Sequence, residues 1–285
     1  MLVDAAQLAA MVGGGHPVVV LDVRWALGRS DGREQHAAGH VPGAVYVDLD
    51  TELAAPPSAA HGRHPLPPEA DLQAAARRWG VRAGVPVVAY DAVGGMSAAR
   101  AWWLLRWAGV ADVRLLDGGL DAWVAAGGAL EQGAVTPEPG DVVLRPGALR
   151  TLDADAAAAL AAGRDTGRPG GVLLDARAGE RYRGEVEPVD PRAGHVPGAV
   201  SVPTSGNLTA DGRFAPDDAL RTRFAAAGAL DGRPVGVYCG SGVTAAHEVA
   251  ALATLGIDAA LYPGSWSQWS ADPDRPAALG PEPGA

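Results

Sequence analysis

Cys239 is the only cysteine in the chain, and it stands in Tyr238-Cys239-Gly240-Ser241-Gly242-Val243-Thr244-Ala245. An apolar run precedes it and a helical pattern begins near Val243. Glycines let successive backbone N–H groups turn around one point and form an anion nest. The helix start adds partial positive charge. A sulfur held there is favoured as thiolate, the nucleophilic form. The alternative is a buried, inert cysteine packed as a small hydrophobe. Two kinds of enzyme place a cysteine in such a cradle. A Cys-dependent phosphatase needs an arginine six residues on, to grip a phosphoryl dianion with paired donors. That position is Ala245. The loop is tight and suits one extra sulfur atom on Cys239 better than a tetrahedral phosphate.

The elements that must hold this loop can be read on both sides of it. Short apolar runs alternate with Ala- and Leu-rich helical stretches. Helices are expected near 4–12, 69–79, 97–108 and 119–126, with strands near 18–22, 44–47, 85–90 and 113–116. The second half repeats the order. Helices are expected at 153–162, 217–227, 243–255 and 265–270, with strands at 172–175, 199–202, 234–238 and 259–262. Continuous apolar strands alternating with helices predict parallel sheets covered on both faces. Ligands of such sheets sit at the carboxyl ends of the strands.

The order repeats because the chain is duplicated. Residues 39–45 and 194–200 both read GHVPGAV, 155 positions apart. Both halves carry an apolar run ending in Asp-x-Arg, at Asp22/Arg24 and Asp175/Arg177. A spacing this long marks a whole copied domain rather than a short solenoid unit. Where the second copy has Cys239, the first has Asp91. One half reads as the catalyst and the other as a retired copy. The expected division is 1–132, a Pro/Gly-rich linker at 133–147, and 148–285. The Pro-rich insert 54–68 is expected as a surface loop, and the tail from Asp272 as extended or frayed.

Composition bounds the partners. The net charge is −10, which argues against nucleic acid. All 23 basic residues are arginine. One cysteine excludes an internal disulfide and a Cys-rich metal site. His61 and His64 form His-x-x-His, but no carboxylate set completes a metal site, so neither metal nor cofactor is expected. No apolar run approaches ~18 residues, so no membrane span is expected. The N-terminus lacks the pattern of a signal peptide. A reducing, cytoplasmic setting is therefore expected, in which a lone thiol survives.

The CGSGVTA loop, the paired GHVPGA blocks, the Asp-x-Arg strands and the GSWSQW block resemble the two-domain rhodanese family of sulfurtransferases. The resemblance covers roughly residues 15–270. It implies two tandem α/β domains, each a five-stranded parallel sheet flanked by helices, with the active site in the cleft between them. It also implies an inactive first domain and a second whose cysteine cycles through a persulfide. Within the family, CG[ST]G is the 3-mercaptopyruvate pattern, whereas thiosulfate enzymes usually carry basic residues just after the cysteine. Gly240 and Ser241 match the former. A missing charge would be worth roughly 1–3 kcal/mol per charge-assisted hydrogen bond, so 3-mercaptopyruvate is the expected donor and thiosulfate the alternative. A thiol such as thioredoxin, or cyanide, is the expected acceptor.

An α-keto carboxylate calls for arginine, whose planar fork matches it. By resemblance, Arg181 is the expected ligand and Arg192 a second; Arg183 is expected to pair with Glu185. The Gly240, Gly242, Val243 and Thr244 backbone is expected to hold the persulfide. The family also implies a relay of Ser241 with a histidine and an aspartate from the first half. His40 and Asp31 are the expected pair. The twin of His40, His195, leaves open a structural role in the turn before proline. Trp102, Trp103 and Trp107 follow helical spacing and are expected in the core.

Overall fold

The fold comes from a computed structural model that describes all residues except 16, 164–169 and 285. The chain divides into two compact units. Unit 1 holds residues 1–55, 66–149 and 209–214; unit 2 holds 56–65, 150–208 and 215–285. The segment 133–147 thus folds with unit 1. Residues 56–65, expected as a loop of the first half, fold with unit 2.

Unit 1 runs β1 (Leu2–Val3), α1 (Ala5–Gly13), β2 (Val19–Asp22), α2 (Gly32–Ala38), β3 (Val45–Tyr46) and α3 (Leu49–Glu52). It continues α4 (Glu69–Arg78), β4 (Val87–Tyr90), α5 (Ala98–Trp107), β5 (Val113–Leu116) and α6 (Gly119–Ala125). The five strands are all parallel, in the order β1-β5-β4-β2-β3. α1 starts at Asp4, whose carboxylate accepts from Gln7 N at 2.7 Å while the Gln7 side chain accepts from Asp4 N, a reciprocal capping box. Val88, Tyr90, Leu116, Leu8 and Trp123 share one core. Trp102 and Trp103 are buried in the core and Trp107 is half-buried.

Unit 2 runs α7 (Ala154–Ala162), β6 (Val172–Asp175), α8 (Gly179–Tyr182), β7 (Val200–Ser201), a 3-10 turn (Thr204–Asn207) and α9 (Asp217–Ala226). It continues β8 (Val235–Tyr238), α10 (Thr244–Thr254), β9 (Ala259–Leu261) and α11 (Ser265–Trp269). Among the described residues its parallel sheet has four strands, β7-β6-β8-β9, not the expected five. The place taken by β1 in unit 1 is held by a single parallel bridge, Thr151 to Leu261. One residue pair is too short to count as a strand. All four residues of β6 and of β8 are buried, as strands covered on both faces should be. Trp266 and Trp269 lie in this core, with Tyr238 and Tyr262.

The duplicated motifs make the same contacts in both units. Arg24 donates to Asp22 (2.7 Å) and to Gly39 O (2.8 Å). Arg177 donates to Asp175 (2.6 Å) and to Gly194 O (2.7 Å). The Tyr90 and Tyr238 hydroxyls accept from Val41 N and Val196 N. Each Asp-x-Arg pair and each strand-end tyrosine therefore pins one GHVPGAV turn to the carboxyl edge of its sheet. A strap closes the turn from outside: Glu131 bridges to His40, and Ala278 to His195. The tail is therefore hydrogen-bonded rather than frayed, with Gly198 N also donating to Pro283 O at 2.7 Å.

Candidate active site

Cys239 follows the last residue of β8 and stands four residues before the N-cap of α10, Val243, and only 2% of it is exposed. Its sulfur accepts the Gly242 N–H at 3.1 Å. Gly242 has φ +78°, and a methyl there would meet Pro263 O at 2.5 Å, so only glycine fits. The loop is held from below by α11. Cys239 N donates to Ser265 Oγ (3.1 Å), Trp266 N to Cys239 O (3.0 Å) and Ser267 N to Gly240 O (2.8 Å). Among the described residues Ser265 is the one non-glycine residue with positive φ, +52°. Such strain collects at functional sites. Val243 occupies the N-cap position of α10 and Thr244 is its first residue.

The matching loop of unit 1 encloses a carboxylate. Asp91 follows β4 as Cys239 follows β8. Its carboxylate accepts four backbone N–H groups, from Val93, Gly95, Ser97 and Ala98, at 2.7–2.8 Å. Burial pushes the carboxyl up, and these four bonds oppose the shift. The loop of unit 1 is an anion nest filled by its own side chain.

Two guanidinium groups converge on the cysteine loop. A methyl on Gly240 would stand 3.0 Å from Arg63 Nη2 and 3.4 Å from Arg181 Nη1. β6 and β8 are adjacent, with Asp175 paired to Tyr238, so the segment after Asp175 carries Arg181 to this edge. Arg181 donates to Glu187 (2.6 Å) and Asp190 (3.1 Å). Arg63 donates to the other oxygen of Asp190. Burial pushes the Asp190 carboxyl up, against the pull of both arginines. Beside Arg63, His64 Nδ1 lies 2.7 Å from Ser241 Oγ, and both side chains are buried.

Arg63 and His64 were not expected at the site. Both lie in the Pro-rich insert, 177 positions from Ser241 in the case of His64. The usable signal is internal: Gly62-Arg63-His64 ahead of Pro68-Glu69 matches Gly212-Arg213-Phe214 ahead of Pro216-Asp217, and each segment folds with the opposite unit.

Other expected residues have other partners. His40 is fully buried, stacks on His36 (3.9 Å between centroids) and bonds His36 O through Nδ1 at 2.8 Å. His195 does the same with Tyr182, at 3.7 Å and 2.8 Å. Asp31 is an exposed partner of Arg29 and Gln35, and Arg29 holds its carboxyl well below the usual range. Arg192 directs four N–H groups at the Trp269, Ser270, Asp272 and Arg275 carbonyl oxygens. Arg183 pairs with Glu185. His247 is buried against Thr204. Among the described residues no group of three or more His, Cys, Asp or Glu could hold a metal, and no helix is long and apolar enough to cross a membrane.

The rhodanese-like domain model matches residues 4–126 and 156–272. The chain is 51% identical to "Putative thiosulfate sulfurtransferase SseB" of Mycobacterium tuberculosis, over 98% of this chain and 97% of that one. It is 49% identical to "Probable 3-mercaptopyruvate sulfurtransferase" of Pseudomonas aeruginosa, over 98% of each. The crystal structure of SseA from Escherichia coli, a 3-mercaptopyruvate enzyme by its description, superposes with a TM-score of 0.80 at 33% identity, covering 93% of this chain and 98% of that one. The chain belongs to the rhodanese family, with two rhodanese-like domains in tandem.

Proposed function

We propose that the protein is a sulfurtransferase that moves sulfur from 3-mercaptopyruvate, through a persulfide on Cys239, to a thiol or cyanide. The Cys239 thiolate attacks the donor sulfur. An S–S bond forms and the C–S bond breaks, with its electron pair going to carbon. The resulting enolate takes a proton and leaves as pyruvate. The acceptor thiolate then attacks the outer sulfur of the persulfide, leaving as its own persulfide and restoring Cys239. A small thiol protein such as thioredoxin, in a reducing cytoplasm, suits this second step.

The observation that carries this reading is the Gly242 N–H on Cys239 Sγ, with two guanidinium groups beside Gly240. The N–H groups of 240–244 hold the outer sulfur, as those of unit 1 hold Asp91. Arg181 binds the donor carboxylate. Ser241 and His64 carry the proton, because they are a Ser–His pair in hydrogen-bond contact on the cysteine loop. His40 and Asp31 are then assigned to the GHVPGAV turn and the surface. Arg192 is assigned to the chain after α11. The test is mass spectrometry with 3-mercaptopyruvate. The intact protein should gain one sulfur atom on Cys239 and lose it when a thiol is added. Sulfur transfer retained by Cys239→Ser sinks the reading.

Thiosulfate is the second donor to consider, favoured by the name of the 51% identical relative. Arg63 and Arg181 bring charge to the loop that Gly240 and Ser241 lack. Side-by-side kinetics with the two donors decides between them; a higher kcat/KM for thiosulfate reverses the order.

A further inference from the structure

We propose that Ser265 is a positioning residue for the sulfur chemistry, its hydroxyl fixing the main chain of Cys239 so that the loop N–H groups meet the sulfur. The inference rests on the proposed sulfurtransferase reading and deepens it. Ser265 has φ +52°, a left-handed backbone that a non-glycine residue takes only at a cost. The first copy makes the same turn without that cost. Gly118-Gly119-Leu120 stands in unit 1 where Gly264-Ser265-Trp266 stands in unit 2, and Gly119 has φ +57°. The next residue holds the loop in both copies. Leu120 N donates to Asp91 O at 2.8 Å, and Trp266 N donates to Cys239 O at 3.0 Å. A methyl on Gly119 would collide with Asp91 O, whereas unit 2 accommodates a side chain at this point. The turn itself asks for glycine, and the catalytic copy carries a hydroxyl there instead.

What the hydroxyl adds is a fixed peptide. Ser265 is fully buried. Its Oγ accepts the Cys239 N–H at 3.1 Å and donates to Tyr262 O at 2.8 Å. Tyr262 N in turn donates to Val237 O at 2.9 Å. The hydroxyl thus closes a chain from β8, through the residue after β9, back to Cys239. Residues 265, 266 and 267 hold Cys239 N, Cys239 O and Gly240 O in turn, and the sulfur takes its hydrogen bond from Gly242 N. Buried N–H donors are nearly always satisfied. Removing the hydroxyl therefore obliges the Cys239 peptide to turn towards another acceptor, which carries the sulfur away from the Gly242 N–H. A misplacement of about 1 Å can cost about 10²-fold in rate.

Two variants test this, because they share one loss and differ in another. Ser265→Ala and Ser265→Gly both lack the hydroxyl, and only Ser265→Gly is free of the left-handed strain. In single-turnover persulfide formation from 3-mercaptopyruvate, the maximal rate per folded molecule should fall at least about tenfold in both. The half-saturating donor concentration should stay within about twofold of wild type. Ser265→Gly should nonetheless unfold at a higher temperature than Ser265→Ala. A wild-type maximal rate in Ser265→Gly overturns the proposal, because the rate then follows strain and not the hydroxyl. Alkylation of Cys239 by iodoacetamide at fixed pH needs no donor. It should slow at least about threefold in both variants, because the thiolate has lost its aligned N–H. Faster alkylation marks a loop that has merely opened, and overturns the proposal. A wild type that alkylates faster than both variants yet gains no sulfur from 3-mercaptopyruvate keeps the positioning role and sinks the sulfurtransferase reading.

Discussion

His64 and His40 divide at the level of single residues. His64 touches Ser241 within the cysteine loop, whereas His40 and His195 each stack on an aromatic ring and bond the carbonyl of that same residue beside a pinned turn. His64→Asn should lower the donor half-reaction by ~10²–10⁴-fold, the usual weight of a positioned proton carrier. His40→Asn should lower the unfolding temperature and leave the rate per folded molecule near wild type. Stopped-flow kinetics and thermal unfolding on both variants separate the roles; a rate collapse in His40→Asn reverses them. Cys239, Gly240, Ser241 and Gly242 could be read in the sequence because they are contiguous and the strand–loop–helix pattern gives them a purpose. Arg63 and His64 could not, because only the fold shows that a segment encoded in the first half belongs to the second unit and reaches that loop. His40 was expected at the site from the family resemblance, and its repeated twin, His195, pointed instead to the turn that each histidine holds.

The two strand-to-helix loops answer one problem in two ways at the scale of elements. In unit 1 the ring of N–H groups closes on Asp91. Asp91→Ala strands those donors, each unsatisfied one costing about 1–3 kcal/mol. Thermal unfolding should drop by several degrees while Cys239 still forms a persulfide at low temperature; an unchanged transition counts against the nest. α10 carries a second consequence. Glu248 on its buried face accepts Asn207 Nδ2 at 2.6 Å, near Thr204, Arg223 and Asp175, and burial pushes its carboxyl up to about 7. The folded state keeps a proton that an unfolded carboxyl, at 4.5, has released. This contribution is therefore full below pH 4.5, is lost as pH rises towards about 7, and is flat above, a span of about 3 kcal/mol. Glu248→Gln should remove that slope in denaturant titrations at pH 5 and pH 8. An unchanged slope rules it out. The long helices and buried strands matched the sequence pattern to within two residues. α2, α3, α8 and β1 escaped it because their segments, GREQHAA, LDTE, GERY and LV, hold neither a sustained apolar run nor an amphipathic stripe.

For the molecule as a whole, duplication was the most legible property, and it survives in contacts as well as in letters. The departures arise where the copies stopped being equivalent. The second sheet has one bridge where the first has a strand, and residues 56–65 fold with the second unit although they are encoded in the first half. A linear boundary at residue 132 has no way to express such an exchange.

The straps at Glu131 and Ala278 decide where either copy can be cut. Each makes a two-way bridge to its histidine, and each lies beyond the last helix of its unit. Gly133 N still donates to Ala37 O, and Gly198 N to the carbonyls of Pro283 and Gly284. The inherited module therefore ends in irregular chain rather than at a helix end. A stand-alone second half has to retain Gly284 and graft back residues 56–65. A fusion partner joined directly after Trp269 would replace the strap and leave the turn beneath it open to water.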